Sequence, residues 1–205
     1  MTMIASNRRR VRTVRLVLLG CVALAASSLH AAPELPRPPA PRFRLVSLSG
    51  NDLDLAELRT RGPVLLDFWA TWCKPCLAAL PELESIHDAY AARGLTVIGI
   101  STDGPRNFAK VRPFVARHGI TYPIALDEDG DMQQKFQVRA MPMTVLIDTA
   151  GTIVHVSQGF RPGEGSRLRA AIDGLLPPRP GGAGMTPDSA RPDSAAHDST
   201  SGTRR

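Results

Sequence analysis

Cys73 and Cys76, in Cys73-Lys74-Pro75-Cys76, follow the apolar run Val64–Trp69 and open an amphipathic stretch. A strand feeding a helix at this point places Cys73 at the helix N-terminus. Unpaired backbone N–H groups and the helix dipole there favour a thiolate. Lys74 adds a positive charge beside it. Lowering a thiol pKa from about 8.5 to about 7 raises the thiolate fraction at neutral pH from a few per cent to roughly half. Cys76 lies one helical turn on, within reach to close a disulfide with Cys73. The pair therefore has the layout of a dithiol that exchanges electrons. A structural staple is the weaker reading, because a bridge between residues three apart closes a small loop and removes little unfolded-state entropy. There is no second CxxC and no close His pair, so no metal and no cofactor are expected.

Two further residues carry candidate chemistry. Asp67 lies six residues before Cys73, inside an otherwise apolar strand. A buried carboxyl is costly and titrates high, which suits a proton acceptor for the inner thiol of Cys76. An Asp at a strand end with access to water is the alternative, and the local sequence leaves both open. Pro142 precedes the apolar strand around Val145–Asp148. A cis peptide at Met141–Pro142 would leave the preceding backbone groups free to pair with an extended substrate, although the pattern alone equally fits an ordinary turn. Trp69 and Trp72 either shape the surface around Cys73 or simply pack. His87, His118 and His155 are scattered and read as surface or cap residues. Asp127–Asp131 has the composition of a calcium loop but lacks its closing Glu, which points to a solvated turn.

These residues need a frame to position them. Strands are expected at Phe43–Leu48, Val64–Trp69, Leu95–Ser101, Ile124–Leu126, Met143–Asp148 and Thr152–Ser157. Helices are expected at Leu55–Thr60, Lys74–Ala92, Asn107–Arg117, Met132–Phe136 and Glu164–Leu175. In the helix after the cysteines, Leu77, Leu80, Leu83 and His87/Tyr90 line one face and Pro81 predicts a kink. His118-Gly119 is a helix stop signal, and Thr149-Ala-Gly151 a hairpin turn. Strand–helix alternation followed by a hairpin and a helix gives an α/β fold, a mixed central sheet covered by helices on both faces.

The 205-residue chain has a formal net charge of +6, which would suit a nucleic-acid partner. The charge is localised, however. Residues 1–32 hold Arg8, Arg9, Arg10, Arg12 and Arg15 and no acid, and setting these five charges aside leaves +1 for residues 33–205. The basic balance thus reports a targeting segment, and no nucleic acid is expected. An eleven-residue apolar run, Leu16–Ala26, follows the arginines and is too short for an ordinary membrane span. Residues 1–32 read as a signal peptide or an uncleaved membrane anchor, and residues 33–41 as a Pro-rich spacer. Residues 42–176 form the folded domain. Residues 177–205, poor in large apolar side chains, read as a disordered tail. Cys21 falls in the leader, so the exported chain keeps only Cys73 and Cys76. A periplasmic or other extracytoplasmic location follows, with membrane contact only through the N-terminal segment.

Leu66-Asp-Phe-Trp-Ala-Thr-Trp-Cys-Lys-Pro-Cys76 resembles the active-site signature of the thioredoxin superfamily. Asp67, Pro81 and Pro142 fall where that family has its buried Asp, its kink proline and its cis-proline. The leader, the extension Phe43–Leu58, Val97-Ile-Gly-Ile-Ser-Thr-Asp103, Tyr122-Pro-Ile-Ala-Leu-Asp127 and Met141-Pro-Met-Thr-Val-Leu-Ile-Asp148 are similar to the secreted TlpA/ResA-type thiol-disulfide oxidoreductases. The resemblance implies a thioredoxin-like fold and a Cys73–Cys76 redox disulfide, with Asp67 and Pro142 completing the catalytic set. Trp72, Lys74, Pro75 and Met141 would bind substrate. It implies reduction of disulfides in exported proteins, apocytochrome c among them, with recharging by a membrane thiol donor of the DsbD/CcdA type. Two departures stand. Ala79 occupies a position where many of these proteins carry Glu, which argues against a dedicated cytochrome-maturation role, and Met143 follows the proline where Thr is usual. A thiol peroxidase is the alternative enzyme class, but it would need a Thr three residues before the attacking Cys, and here that residue is Ala70. A redox-inert binding module is the third, against which the intact CxxC argues.

Overall fold

The computed structural model describes residues 37–159, 161 and 163–178; the leader, residues 33–36 of the spacer and nearly all of the proposed tail lie outside the described residues. Strands β1 (Arg44–Val46) and β2 (Asp52–Asp54) pair antiparallel and are followed by the short helix α1 (Leu55–Leu58). Then come β3 (Val64–Trp69), α2 (Lys74–Tyr90), β4 (Thr96–Ser101), α3 (Phe108–His118), β5 (Ile124–Leu126), α4 (Asp131–Lys135), the hairpin β6 (Met143–Ile147) and β7 (Ile153–Gln158), and α5 (Glu164–Asp173). The main sheet runs β5-β4-β3-β6-β7. Strands β3, β4 and β5 are parallel, whereas β6 lies antiparallel to β3 and to β7. This is the mixed α/β sheet expected from the sequence.

Every residue of β3 is buried, which explains why its sequence is apolar throughout rather than alternating. Alternate side chains nevertheless go to opposite faces. Val64, Leu66 and Phe68 join Phe43, Leu58, Ile98, Met132 and Val145 on one face. Leu65 and Trp69 join Cys73, Cys76, Leu83, Ile86 and Ile172 on the other. Burial of each large side chain is worth about 1.5–3 kcal/mol. Asp67 sits between Leu65 and Trp69 on its strand, and so is turned to the face that carries the cysteines.

The structure corrects two details. Helix α2 buries Cys76, Ala79, Leu80, Leu83, Ile86 and Tyr90, so the inward stripe takes Ile86 rather than His87, and Leu77 lies at its margin. Pro81 lies inside this helix, which runs on to Tyr90. The strand β2 was not expected; Asp52-Leu53-Asp54 carries a single buried apolar residue, too short a run to signal a strand, and the pairing with β1 makes it one. Gly119 does stop α3 as its sequence signals, with a left-handed φ of 64° that a side chain would resist. Among the described residues no helix is long and apolar enough to cross a membrane.

Candidate active site

Strand β3 delivers the chain to Ala70, residues Thr71 and Trp72 turn it, and Cys73 becomes the N-cap of α2. Its backbone is extended (φ −83°, ψ 97°), and its Sγ accepts a hydrogen bond from the Cys76 N–H at 3.3 Å. Pro75 falls in the first helical turn, where a missing N–H costs nothing. Cys73 and Cys76 are joined in a disulfide, with their Cα atoms 5.3 Å apart. Exposure barely separates the two, at 5% for Cys73 and 2% for Cys76. The helix start does separate them: Cys73 Sγ receives a backbone N–H, which favours negative charge on that sulfur once the disulfide opens.

The residues expected to meet substrate divide into two groups. Trp72 is 61% exposed, and Lys74 and Pro75 also face solvent beside the disulfide. Met141 is half-buried instead. The Thr102 hydroxyl lies 2.9 Å from its Sδ and 3.1 Å from the Trp69 carbonyl. The Met141–Pro142 peptide is cis. Pro142 shares a crevice with Ala79 and Leu83 of α2, which brings the proline to the helix that carries the cysteines.

Asp67 is 1% exposed, so the water-accessible alternative falls away. Its Oδ1 is buried and has no hydrogen-bond partner. Burial alone pushes the carboxyl up from 3.8 to about 7. A carboxyl that is half protonated at neutral pH, on the sheet face that packs Cys76, is matched to take up a thiol proton and give it back.

Asp103 closes the segment Val97–Asp103 and has no assigned role in the sequence. It is fully buried. Its carboxyl accepts hydrogen bonds from the Thr71 N–H at 2.9 Å, the Thr71 hydroxyl at 2.6 Å and the Ser101 hydroxyl at 2.9 Å. It thereby fixes the turn immediately before Cys73. Asp103→Ala leaves three donors without an acceptor, the Ser101 hydroxyl buried and the two of Thr71 part-buried, and should cost about 2–4 kcal/mol of stability. Asp103→Asn, which keeps one acceptor oxygen, should cost less. Denaturant unfolding of both variants checks this, and equal losses would contradict it.

Each of the three histidines among the described residues has a neighbour of its own. The His87 ring meets Tyr122 at 5.9 Å, His118 stacks on Phe114 at 4.3 Å, and His155 Nε2 lies 3.1 Å from Glu164 Oε1. In the acidic run, the Asp127 carboxylate accepts from the N–H groups of Met132 and Gln133, each at 2.9 Å, and so caps α4.

Residues 36–156 match the AhpC/TSA family. The chain is 34% identical over 120 residues to the thiol-disulfide oxidoreductase ResA of Halalkalibacterium halodurans, an alignment spanning 58% of this chain and 66% of that relative. Among solved structures, a Chlorobium tepidum protein assigned as a thiol:disulfide interchange protein DsbE superposes with a TM-score of 0.62 at 29% identity, covering 69% of this chain and 99% of that one. A secreted Mycobacterium tuberculosis disulfide oxidoreductase superposes with a TM-score of 0.54 at 26% identity, covering 65% of this chain and 96% of that one.

Proposed function

For a chain that belongs to the AhpC/TSA family and is a thiol-disulfide oxidoreductase of thioredoxin-like fold, we propose the role of a reductant of disulfides in exported proteins. The observation that carries the proposal is the Cys73–Cys76 pair at the start of α2, with Cys73 Sγ on a backbone N–H and Asp67 buried on the same sheet face.

The cycle follows from those positions. Cys73, as the thiolate, attacks one sulfur of a substrate disulfide; the other leaves with the electron pair and takes a proton. Cys76 gives its thiol proton to Asp67 and attacks Cys73 Sγ. That step breaks the mixed disulfide, frees the second substrate thiolate and closes Cys73–Cys76. A membrane thiol donor of the DsbD/CcdA type then returns two electrons to the pair. The exposed Trp72, Lys74 and Pro75 next to the cysteines, together with Met141, are the residues assigned to the surface on which an extended substrate would lie. Disulfide-bonded apocytochrome c is one candidate; Ala79 favours a broader range of clients.

The location belongs to the same proposal. The Arg-rich start, the apolar run Leu16–Ala26 and the Pro-rich spacer support an extracytoplasmic site of action, and the similar M. tuberculosis protein is secreted. The peroxidase alternative is disfavoured by a second observation. The Thr71 hydroxyl, two residues before Cys73, is held by Asp103 and is not free to position a peroxide.

The test has two arms. Turnover of a disulfide-bonded protein with a thiol donor is expected to proceed, and turnover of hydrogen peroxide to be far slower. In cells, acid-trapped Cys73 and Cys76 are expected at least partly reduced when the membrane donor is present and oxidised when it is deleted. Faster peroxide turnover, or a thiol state indifferent to the donor in a cytosolic fraction, would sink the proposal.

A further inference from the structure

The disulfide lies at one end of the sheet, and strand direction decides what else gathers there. Parallel pairing sets Trp69 beside Ser101, so β3 and β4 end together. Antiparallel pairing sets Phe68 beside Met143, so β6 begins at the same end. The segments that follow β3 and β4 and the one that precedes β6 are therefore neighbours, and side chains tie them together. Asp103, after β4, holds the N–H and the hydroxyl of Thr71 at 2.9 and 2.6 Å, two residues before Cys73. The Thr102 hydroxyl lies 2.9 Å from Met141 Sδ. The Trp69 and Phe114 rings meet at 5.1 Å, which lays α3 on the sheet face that packs the cysteines.

These three segments present cations and no acid. Residues 70–81 hold Lys74, residues 104–119 hold Arg106, Lys110, Arg112 and Arg117, and residues 137–147 hold Arg139; none of the three stretches contains Asp or Glu. Asp103 between them is buried and occupied by its hydrogen bonds to Thr71 and Ser101. Lys74, Arg106, Lys110 and Arg139 are exposed. Elsewhere surface charges are matched: Arg44–Asp54 and Arg93–Asp173 meet at 2.8 Å and Arg169–Glu82 at 3.0 Å, and no ion pair among the described residues includes any of the four. Residues 33–205 carry only +1 in all, so the excess is local. The acidic run Asp127–Asp131 follows β5, the edge strand two places from β3, and its Asp127 caps α4 while Asp131 pairs with Lys135. Like charges left unpaired on adjoining segments repel and add nothing to the fold, but they concentrate partners of the opposite sign. Trp72, 61% exposed and two residues before Lys74, supplies an apolar anchor inside this charged surface.

We propose that this cationic end of the sheet selects clients whose disulfides are flanked by acidic residues, with Arg106 and Lys110 as specificity residues outside the Cys-Lys-Pro-Cys turn. The inference rests on the reading of the chain as a reductant of exported disulfides and names the class of client. The redox step is unchanged: two electrons pass from the Cys73–Cys76 dithiol to the client disulfide. The cations act before it, on the encounter, by drawing client Asp and Glu side chains toward the segments beside Cys73. The reach is short. Arg106 lies three residues beyond Asp103, at most about 11 Å of chain, so an acid a few residues from the client cysteine meets it.

The test uses three peptides with one disulfide loop in common, flanked by Glu, by Lys or by Gln. Reduced protein is mixed with each, quenched in acid at intervals, and the peptide dithiol followed by mass. Each initial rate is divided by that of the same peptide with dithiothreitol, which removes the peptide's own reactivity. The Glu peptide is expected to exceed the Lys peptide at least about tenfold at roughly 10 mM ionic strength, the lower reach of electrostatic steering. At about 1 M salt, where the screening length is about 3 Å, the two should agree within about twofold. Arg106→Glu combined with Lys110→Glu should bring the low-salt ratio to near one. That ratio is taken on one preparation, so it does not depend on how much of the variant folds. A parent ratio near one at low salt, a ratio that survives high salt, or one that the double variant leaves unchanged overturns the proposal. The Gln peptide keeps the two readings apart. If the parent reduces it without preferring Glu over Lys, only the client class fails; if the parent does not reduce it, the reductase reading fails and the client class with it.

Discussion

Cys73→Ala is expected to abolish disulfide exchange, while Cys76→Ala keeps the first half of the cycle and stops at the mixed disulfide. The two sulfurs are almost equally covered, at 5% and 2%, so exposure does not decide their roles. What differs is that Cys73 caps a helix and Cys76 is buried one turn inside it. A thiol with a pKa near 7 is about half thiolate at neutral pH, whereas an ordinary or buried thiol is at most a few per cent ionised. Iodoacetamide at pH 7 should therefore modify Cys73 of the reduced protein at least about tenfold faster than Cys76. The Cys76→Ala variant should accumulate covalent adducts with its clients, which non-reducing electrophoresis and mass spectrometry would identify. Preferential labelling of Cys76, or adducts that form on Cys76 in the Cys73→Ala variant as readily as on Cys73, would reverse the assignment.

The parts of this site that lie close together in sequence were legible there. A continuous apolar strand, a turn and a Cys-Lys-Pro-Cys helix start are written within residues 64–76, and local propensity, capping and hydrophobic pattern all agree. Asp67 stood out because it interrupts that pattern. The residues set opposite it in the sheet did not. Thr144 and Ser157 look like ordinary strand residues, and their alignment with Asp67 depends on the register of strands far apart in the chain. Register is set by packing across the sheet and leaves no mark at a single position. Asp103 was hidden for a similar reason: its partners, Thr71 and Ser101, lie on two segments brought together only by the β3–β4 pairing. The choice of Ile86 over His87 shows the limit of helical periodicity, which places a stripe only to within about one residue.

Asp67→Asn is expected to make the protein more stable and the enzyme slower, and the size of the gain should depend on pH. Burial raises the Asp67 carboxyl from 3.8 to about 7. Above pH 4 the unfolded chain releases this proton, while the folded protein holds it until about pH 7. Unfolding therefore releases a proton in that window, and this group's contribution makes the native state lose stability as pH rises from about 4 to about 7, with the full penalty above 7. At about 1.4 kcal/mol per unit, the rise from 3.8 to about 7 corresponds to roughly 4 kcal/mol. Asn does not titrate and carries no such penalty. The unfolding free energy of Asp67→Asn, measured by denaturant titration, should exceed that of the parent by little at pH 4 and by roughly 4 kcal/mol at pH 8. A difference that stays flat between these values would mean that Asp67 is not held protonated by the fold. The same replacement should slow loss of the Cys73 adduct, because Cys76 then has no buried group to receive its proton. A carboxyl that weakens the fold at the pH where it serves the thiol is the trade expected of a functional residue rather than a structural one.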